Sequence, residues 1–330
     1  TCALPIFHIR EVKLEAAEHA YDELLTTLEK PQPKENAPKT AVVGGGPAGI
    51  SAGYLLAREG MPVTVFEKSK TIGGVCSQIV PEFRISMESV QKDVQLAEFM
   101  GAEFLTGQEA PSLAELKNQG YTNVIYAIGA WKHGVLRLES GRALNSLEFL
   151  KANRENPTIN PYGEQIVVVG GGNTAMDCAR AATTLPGVKK VSVVYRRNKR
   201  NMPADEEELY LALEDGVDFL ELLSPIKHEN QQLTCEKMVL GERDASGSRR
   251  PIGTGEIIDI PADTVIAAVG EKVDTEFYQA LGIHTDNYGK VVSNQETLET
   301  NIPGVYVIGD ANLGPATIVE AIADATKADR

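Results

Sequence analysis

Cysteine is scarce: four residues in 330, at positions 2, 76, 178 and 235. Spaced so widely they offer no CxxC redox pair, no zinc site and no disulfide framework, which points to a reducing, cytoplasmic setting. No apolar run approaches the roughly 18 residues of a membrane span, and no charged-then-apolar leader opens the chain. Positive charge is short as well, with 32 Lys and Arg against 46 Asp and Glu, a formal net charge of −14. Such a chain repels nucleic acid and anionic lipid unless its cations gather in one patch. The five histidines (His8, His19, His133, His228, His284) show no HExxH or shared-face spacing, so no metal site is expected. With 42% hydrophobic and 24% charged residues, what remains is an ordinary globular composition long enough for two domains. The chain opens at Thr1 rather than Met and reads as a piece of a longer polypeptide.

What is present in quantity is glycine, 30 residues, clustered at 44–49, 73–74 and 170–172. Residues 9–30 carry Val12, Ala16, Leu24, Leu25 and Leu28 among charges, predicting an amphipathic helix. The stretch 31–39, PQPKENAPK, breaks it and reads as a linker. Ala41-Val42-Val43 then runs into GGGPAG and a helical pattern through Arg58, which is the start of a βαβ unit. The same phrase returns where Ile166-Val167-Val168-Val169 runs into GGGNTAMDCAR. Each copy closes on a strand and a glycine, Val124–Gly129 and Val265–Gly270, 85 and 100 residues after the first glycine. The chain therefore holds a duplicated nucleotide-binding module. Residues 224–262 read as a hairpin-rich excursion within the second copy, and Val305–Asp310 as a further buried strand followed by a helix from about Ala316.

In Gly44-x-Gly46-Pro47-Ala48-Gly49, the first glycine permits the turn, the second admits a pyrophosphate, and the third lets the helix approach the sheet. The phosphates would lie at the helix N-terminus. Glu67 ends the second strand 21 residues after Gly46, where an acid accepts hydrogen bonds from a ribose and repels a 2′-phosphate. This site suits FAD or NAD. The second motif, Gly170-x-Gly172-Asn173-Thr174-Ala175, is followed by a strand ending in Tyr195-Arg196-Arg197-Asn198-Lys199-Arg200. Guanidinium groups at the ribose-reading position suit a 2′-phosphate, so Arg196, Arg197 and Arg200 predict NADPH, with NADH possible. Asn173 and Asp177 are expected to cap or line that pocket, and Trp131 to serve packing, with cover of a cofactor face as the alternative.

Together these motifs, with Gly73-Gly74, Pro81–Ile85, Met202-Pro203-Ala204 and Gly304–Asp310, resemble the glutamate synthase small-subunit family of FAD- and NADPH-binding oxidoreductases. The flavin domain of dihydropyrimidine dehydrogenase is similar in the same places, and within the family the phrase Ile9-Arg10-Glu11-Val12-Lys13-Leu14 resembles in particular the linker of the selenate reductase flavoprotein subunit. The resemblance spans about residues 5–330 and implies an α/β fold of two Rossmann-like dinucleotide-binding domains, the NADPH domain inserted into the FAD domain. The expected division is a helical linker over 1–39, an FAD domain over 40–158 and 295–330, and an NADPH domain over 159–294. It further implies that Glu67 is the FAD ribose acid, that Arg84 lies against FAD, and that Asp310 binds the ribityl or pyrophosphate part. Lys68, Gly74, Val75, Gly129 and Gly309 join the expected FAD set, and Gly270 the NADPH set. Ala316 and Thr317 would open a helix whose N–H groups face the flavin pyrimidine edge.

Hydride transfer between the cofactors asks for no catalytic side chain. No second cysteine stands within a few residues of Cys76 and no cysteine pair lies in the second module, so the electrons must leave the chain. The resemblance implies iron–sulfur clusters on segments outside this chain or on a partner subunit. Two alternatives stand beside this reading: a flavoprotein that reduces oxygen or a small acceptor directly, and a nucleotide-binding redox module without turnover.

Overall fold

The computed structural model describes residues 9–243 and 249–328; Cys2, His8 and the tip 244–248 of the predicted excursion lie outside the described residues. Two five-stranded parallel sheets dominate. The first has the spatial order Val305–Val307, Tyr121–Tyr126, Lys39–Val43, Val63–Glu67, Glu103–Thr106. Its central strands are rich in β-branched residues and closed to solvent on both faces, as a sheet covered from both sides requires. The second has the order Leu144–Asn145, Thr264–Ala267, Gln165–Val169, Lys190–Tyr195, Asp218–Glu221. Four strands follow the same course in both sheets. The fifth is exchanged: the C-terminal Val305–Val307 extends the first sheet, and Leu144–Asn145, which precedes the second module in the chain, extends the second.

Each sheet is lined on one face by the helix that follows its glycine turn, Pro47–Arg58 in the first module and Asn173–Thr183 in the second. The opposite face of the first sheet packs on Tyr278, Ile283 and Val291. That of the second packs on Leu233, Cys235 and Ile260 of an antiparallel sheet, Leu223–Glu229, Gln232–Arg243 and Arg249–Pro261, which is the predicted excursion. Where the chain crosses between modules, Lys132–His133 pairs antiparallel with Glu271–Lys272, tying the two crossings together. The molecule is thus an α/β structure of two Rossmann-like units, one inserted within the other.

The N-terminal helix runs Ile9–Thr27, three residues shorter than its apolar spacing suggests. Val12 and Leu24 are exposed rather than packed, and Tyr21 ties the helix to the rest of the fold, its Oη donating to the Lys92 carbonyl at 2.8 Å. The tail departs more. The strand stops at Val307, a short helix Asp310–Leu313 follows, and the last helix, Ile318–Ala328, starts two residues later than expected. Among the described residues no helix is long and apolar enough to cross a membrane.

Candidate functional site

The first glycine turn opens into a cleft of about 630 Å³, a size suited to a small-molecule cofactor. Its wall is built by Gly44, Gly46, Pro47 and Ala48 from the turn, Glu67 and Lys68 from the second strand end, and Gly74 and Val75 from the next loop. Gly129 and Trp131 come from the closing strand, and Asp310, Ala316 and Thr317 from the C-terminal segment. The topology that returns Val305–Val307 to the first sheet is what brings Asp310, 264 residues after Gly46 in the chain, to the same cleft.

The three glycines of the turn do different work. A Cβ on Gly49 would sit 1.9 Å from the Gly44 carbonyl oxygen, so its role is close packing of helix on turn. A Cβ on Gly46 would meet nothing nearer than the Gly74 Cα at 4.0 Å; the space it leaves belongs to the cleft. Gly46 also caps the helix without a side chain, and no acid stands in the first turn. The N–H groups there are open to an anion, the arrangement a pyrophosphate needs.

Glu67 is buried, and its two carboxylate oxygens accept from the Gly45 N–H at 2.8 Å and the Ser69 N–H at 2.7 Å. A carboxylate offers about four acceptor sites, so both oxygens keep capacity for ribose hydroxyls. Burial lifts the Asp310 carboxyl to about 6, opposed by the Ala316 N–H that it accepts and reinforced by the charges of Glu271 and Glu320. Gly309 donates its N–H to Asp324 Oδ2, and Asn312 Nδ2 donates to the same oxygen, both at 3.0 Å. Asp324 is 2% exposed and fixes the loop that presents Asp310; nothing in its local pattern singles it out among the acids of a C-terminal helix.

Other sequence expectations are relocated. Thr317 precedes the last helix and forms a reciprocal cap with Glu320: Glu320 N–H donates to Thr317 Oγ1 at 3.2 Å, and Thr317 N–H to Glu320 Oε2 at 2.8 Å. That carboxylate occupies part of the terminus expected to face a flavin. Arg84 is absent from the cleft wall; its guanidinium pairs with Asp177 and Glu208, each at 2.7 Å. Asp177 accordingly faces the first module. Trp131, read first as a packing residue and second as cover for a cofactor, stands 37% exposed on the cleft wall. Phe66, Gln78, Lys151 and Phe277 also line the cleft and carry no sequence motif.

At the second turn, Gly170 is required by the Ala268 carbonyl oxygen, 2.2 Å from where its Cβ would lie, with Ala175 packed beneath. Gly172 again caps a helix with no side-chain bond and no acid in the first turn. Asn173 Oδ1 accepts from the Asp205 N–H at 3.0 Å, and the Ala204 N–H donates to the Gly171 carbonyl at 3.1 Å, so the 202–205 loop folds over the turn. Thr174 follows in the first helical turn. Arg196 and Arg200 are exposed and Arg197 is half-buried at the strand end; none of the three makes an ion pair among the described residues. Arg197 Nε is buried without a partner. Gly270, the closing glycine, is exposed with a φ of 101°.

Cys76, Cys178 and Cys235 are free and buried. Burial pushes the Cys76 thiol up to about 11 and Cys235 to about 12. Such thiols remain protonated and unreactive. Among the described residues no cluster of three or more His, Cys, Asp and Glu is arranged to hold a metal ion.

A family model described as pyridine nucleotide-disulphide oxidoreductase matches residues 38–325. YgfK of Escherichia coli (strain K12) is 41% identical over 327 residues, which cover 97% of this chain and 31% of that protein. The chain thus spans about a third of that relative. The glutamate synthase [NADPH] small chain of the same organism is 31% identical over 321 residues, covering 89% of this chain and 68% of that one. Among solved structures, FprA from Mycobacterium tuberculosis superposes with a TM-score of 0.72 at 22% identity, over 89% of this chain and 83% of that one, a likeness of fold. The chain belongs to the pyridine nucleotide-disulphide oxidoreductase family and, within it, to the glutamate synthase small-chain type.

Proposed function

We propose that FAD is held in the cleft of the first module and NADPH at the glycine turn of the second, within a longer electron-transfer enzyme. The observation that carries this reading is the reversal of charge at the two equivalent strand ends: a buried Glu67 in one, and Arg196 and Arg197 in the other. A carboxylate selects a free ribose hydroxyl and a guanidinium selects a 2′-phosphate, so one chain is built for two different dinucleotides. When bound, FAD would supply the hydride-accepting and electron-relaying chemistry.

The side chains bind and orient. Gly46 and the open N–H groups behind Pro47 and Ala48 receive the FAD pyrophosphate, Glu67 and Lys68 the adenosine end, and Gly74, Val75, Gly129, Gly309, Asp310 and Ala316 the remainder. Gly170, Gly172, Asn173, Thr174 and Ala175 cradle the NADPH pyrophosphate, with Arg196, Arg197 and Arg200 on the 2′-phosphate and Gly270 beside the nicotinamide side. The division we propose follows the packing and departs from the expected boundaries at 158 and 295: residues 144–155 join the NADPH unit, because they extend and pack on the second sheet, and Tyr278, Ile283 and Val291 join the FAD unit, because they pack on the first.

The buried, protonated state of Cys76, Cys178 and Cys235 supports an outlet other than a disulfide. We assign the outlet to an iron–sulfur centre on another segment or a partner subunit, in a cytoplasmic enzyme. The test is anaerobic: the purified protein reconstituted with FAD should bleach with NADPH and respond poorly to NADH. A protein that takes up no FAD defeats the reading, and rapid NADPH oxidation in air without a partner replaces the iron–sulfur outlet with oxygen.

A further inference from the structure

The segment between Gly74 and the helix Met87–Met100 belongs by sequence to the first module, where Cys76 and Ile85 pack, yet several of its other side chains are held by the second. Val75, on the cleft wall, packs against the second module's core, and Ile79, 5% exposed, lies within it beside Phe149 and Met176. Arg154 of the helix Ser146–Glu155 donates to the Val80 carbonyl and pairs with Glu82 at 2.7 Å. Arg180 lies over the Phe83 ring at 4.4 Å. Arg84 then forks, one nitrogen to Asp177 Oδ1 and the other to Glu208 Oε1, each at 2.7 Å.

Asp177 is the fifth residue of the helix Asn173–Thr183 that begins at Gly172. Its side chain is 9% exposed and that of Glu208 13%. Two acids so poorly solvated require a partner, and a planar fork holding both at once fixes angle as well as distance. The same short loop therefore touches the flavin cleft at Val75 and the second glycine-turn helix at Asp177.

We propose that Arg84 is a positioning residue for hydride transfer, clamping the loop that lines the flavin cleft onto the helix that carries NADPH. The clamp sets the separation of the two nucleotide sites. This inference rests on the assignment of FAD and NADPH to the two turns. A displacement of about 1 Å between reacting centres is enough to lower a rate by roughly 100-fold.

The experiment compares the whole chain, reconstituted with FAD, as wild type, Arg84→Gln, Arg84→Lys and Glu208→Gln. Stopped-flow bleaching of the flavin by NADPH, the isotope effect with NADPH deuterated at C4, and NADPH affinity are measured. Hydrogen exchange of residues 75–86 is followed in the FAD-free protein. Arg84→Gln should lower the saturating rate of flavin reduction by about 10- to 100-fold, with NADPH affinity changed less than about threefold. It should also speed exchange in 79–85. Arg84→Lys, a point charge that cannot fork, should fall between it and wild type. Glu208→Gln spares the Asp177 arm and should show a smaller loss in the same direction, which keeps the test available where loss of both arms prevents folding. An unchanged saturating rate in both Arg84→Gln and Glu208→Gln, or a loss confined to NADPH or FAD affinity, overturns the clamp. Wild type that NADPH fails to bleach overturns instead the assignment of the two cofactors, and the clamp with it.

Discussion

Adding a single methyl group at two positions of the first glycine turn separates packing from ligand binding. In Gly49→Ala the new carbon would lie 1.9 Å from the Gly44 carbonyl oxygen, and the obstacle is backbone that has no rotamer with which to move aside. Relief requires the helix Pro47–Arg58 to slide off its sheet, where Ala48, Ala52 and Leu56 pack. Overpacking of this kind costs about 1–3 kcal/mol and more where backbone must shift, so a loss of about 3 kcal/mol is expected before any cofactor is added. In Gly46→Ala the nearest atom is 4.0 Å away and φ is −79°, which alanine adopts freely. The residual cost is that of alanine replacing glycine as a helix cap, up to about 1 kcal/mol. FAD affinity, however, should fall at least ~10-fold, because the methyl occupies the space a pyrophosphate enters, and 1.4 kcal/mol is already a factor of ten. Urea unfolding of the flavin-free proteins and titration with FAD by flavin fluorescence read the two quantities separately. Wild-type FAD affinity in Gly46→Ala, or wild-type stability of flavin-free Gly49→Ala, would refute the reasoning.

Two further outcomes follow from charge. Arg196→Glu should raise KM for NADPH by roughly 10- to 100-fold, the loss of a charge-assisted bond at about 1.5–3 kcal/mol, with little change for NADH; equal effects on the two coenzymes reject the phosphate assignment. Asp310, lifted by burial to about 6, binds its proton more tightly folded than unfolded. Its contribution is therefore fully present below the ordinary carboxylate value near 4 and is lost as pH rises through about 6. Flavin-free Asp310→Asn should gain on wild type across that window and hold a constant lead above pH 7. The lead is ~1–2 kcal/mol once screening by the open cleft is discounted. Urea unfolding at pH 4, 5, 6, 7 and 8 checks it, and a pH-independent difference argues against it.

The two glycine turns, their strands and their helices were legible because each is specified locally, by an apolar run, a turn that excludes Cβ and a helical pattern. Glu67 was legible for the same reason, lying one βαβ unit from its turn. The end of the chain was less so. The reciprocal cap of Thr317 and Glu320 moves the helix start to Ile318, and capping is decided by which side chain reaches the first N–H groups. Trp131 is a single aromatic after a closing strand, and no local pattern distinguishes packing from lining a cleft. Arg84 marks the limit most clearly. Its partners are 93 and 124 residues further along the chain, and no periodicity links positions that far apart.

From the sequence alone it followed that this chain has two dinucleotide-binding modules, that their equivalent strand ends carry opposite charge, and that no dithiol waits beside them. These are short-range properties, set by steric need at glycine and by charge at a strand end. Which distant segments share a site depended on the folded chain: Asp310 returns to the first cleft along an exchanged edge strand, Asp324 holds it there, and Arg84 pairs with Asp177 and Glu208 of the second module. Those arrangements depend on how two sheets trade their outer strands and where buried acids find a cation, and neither is written in any stretch of neighbouring residues.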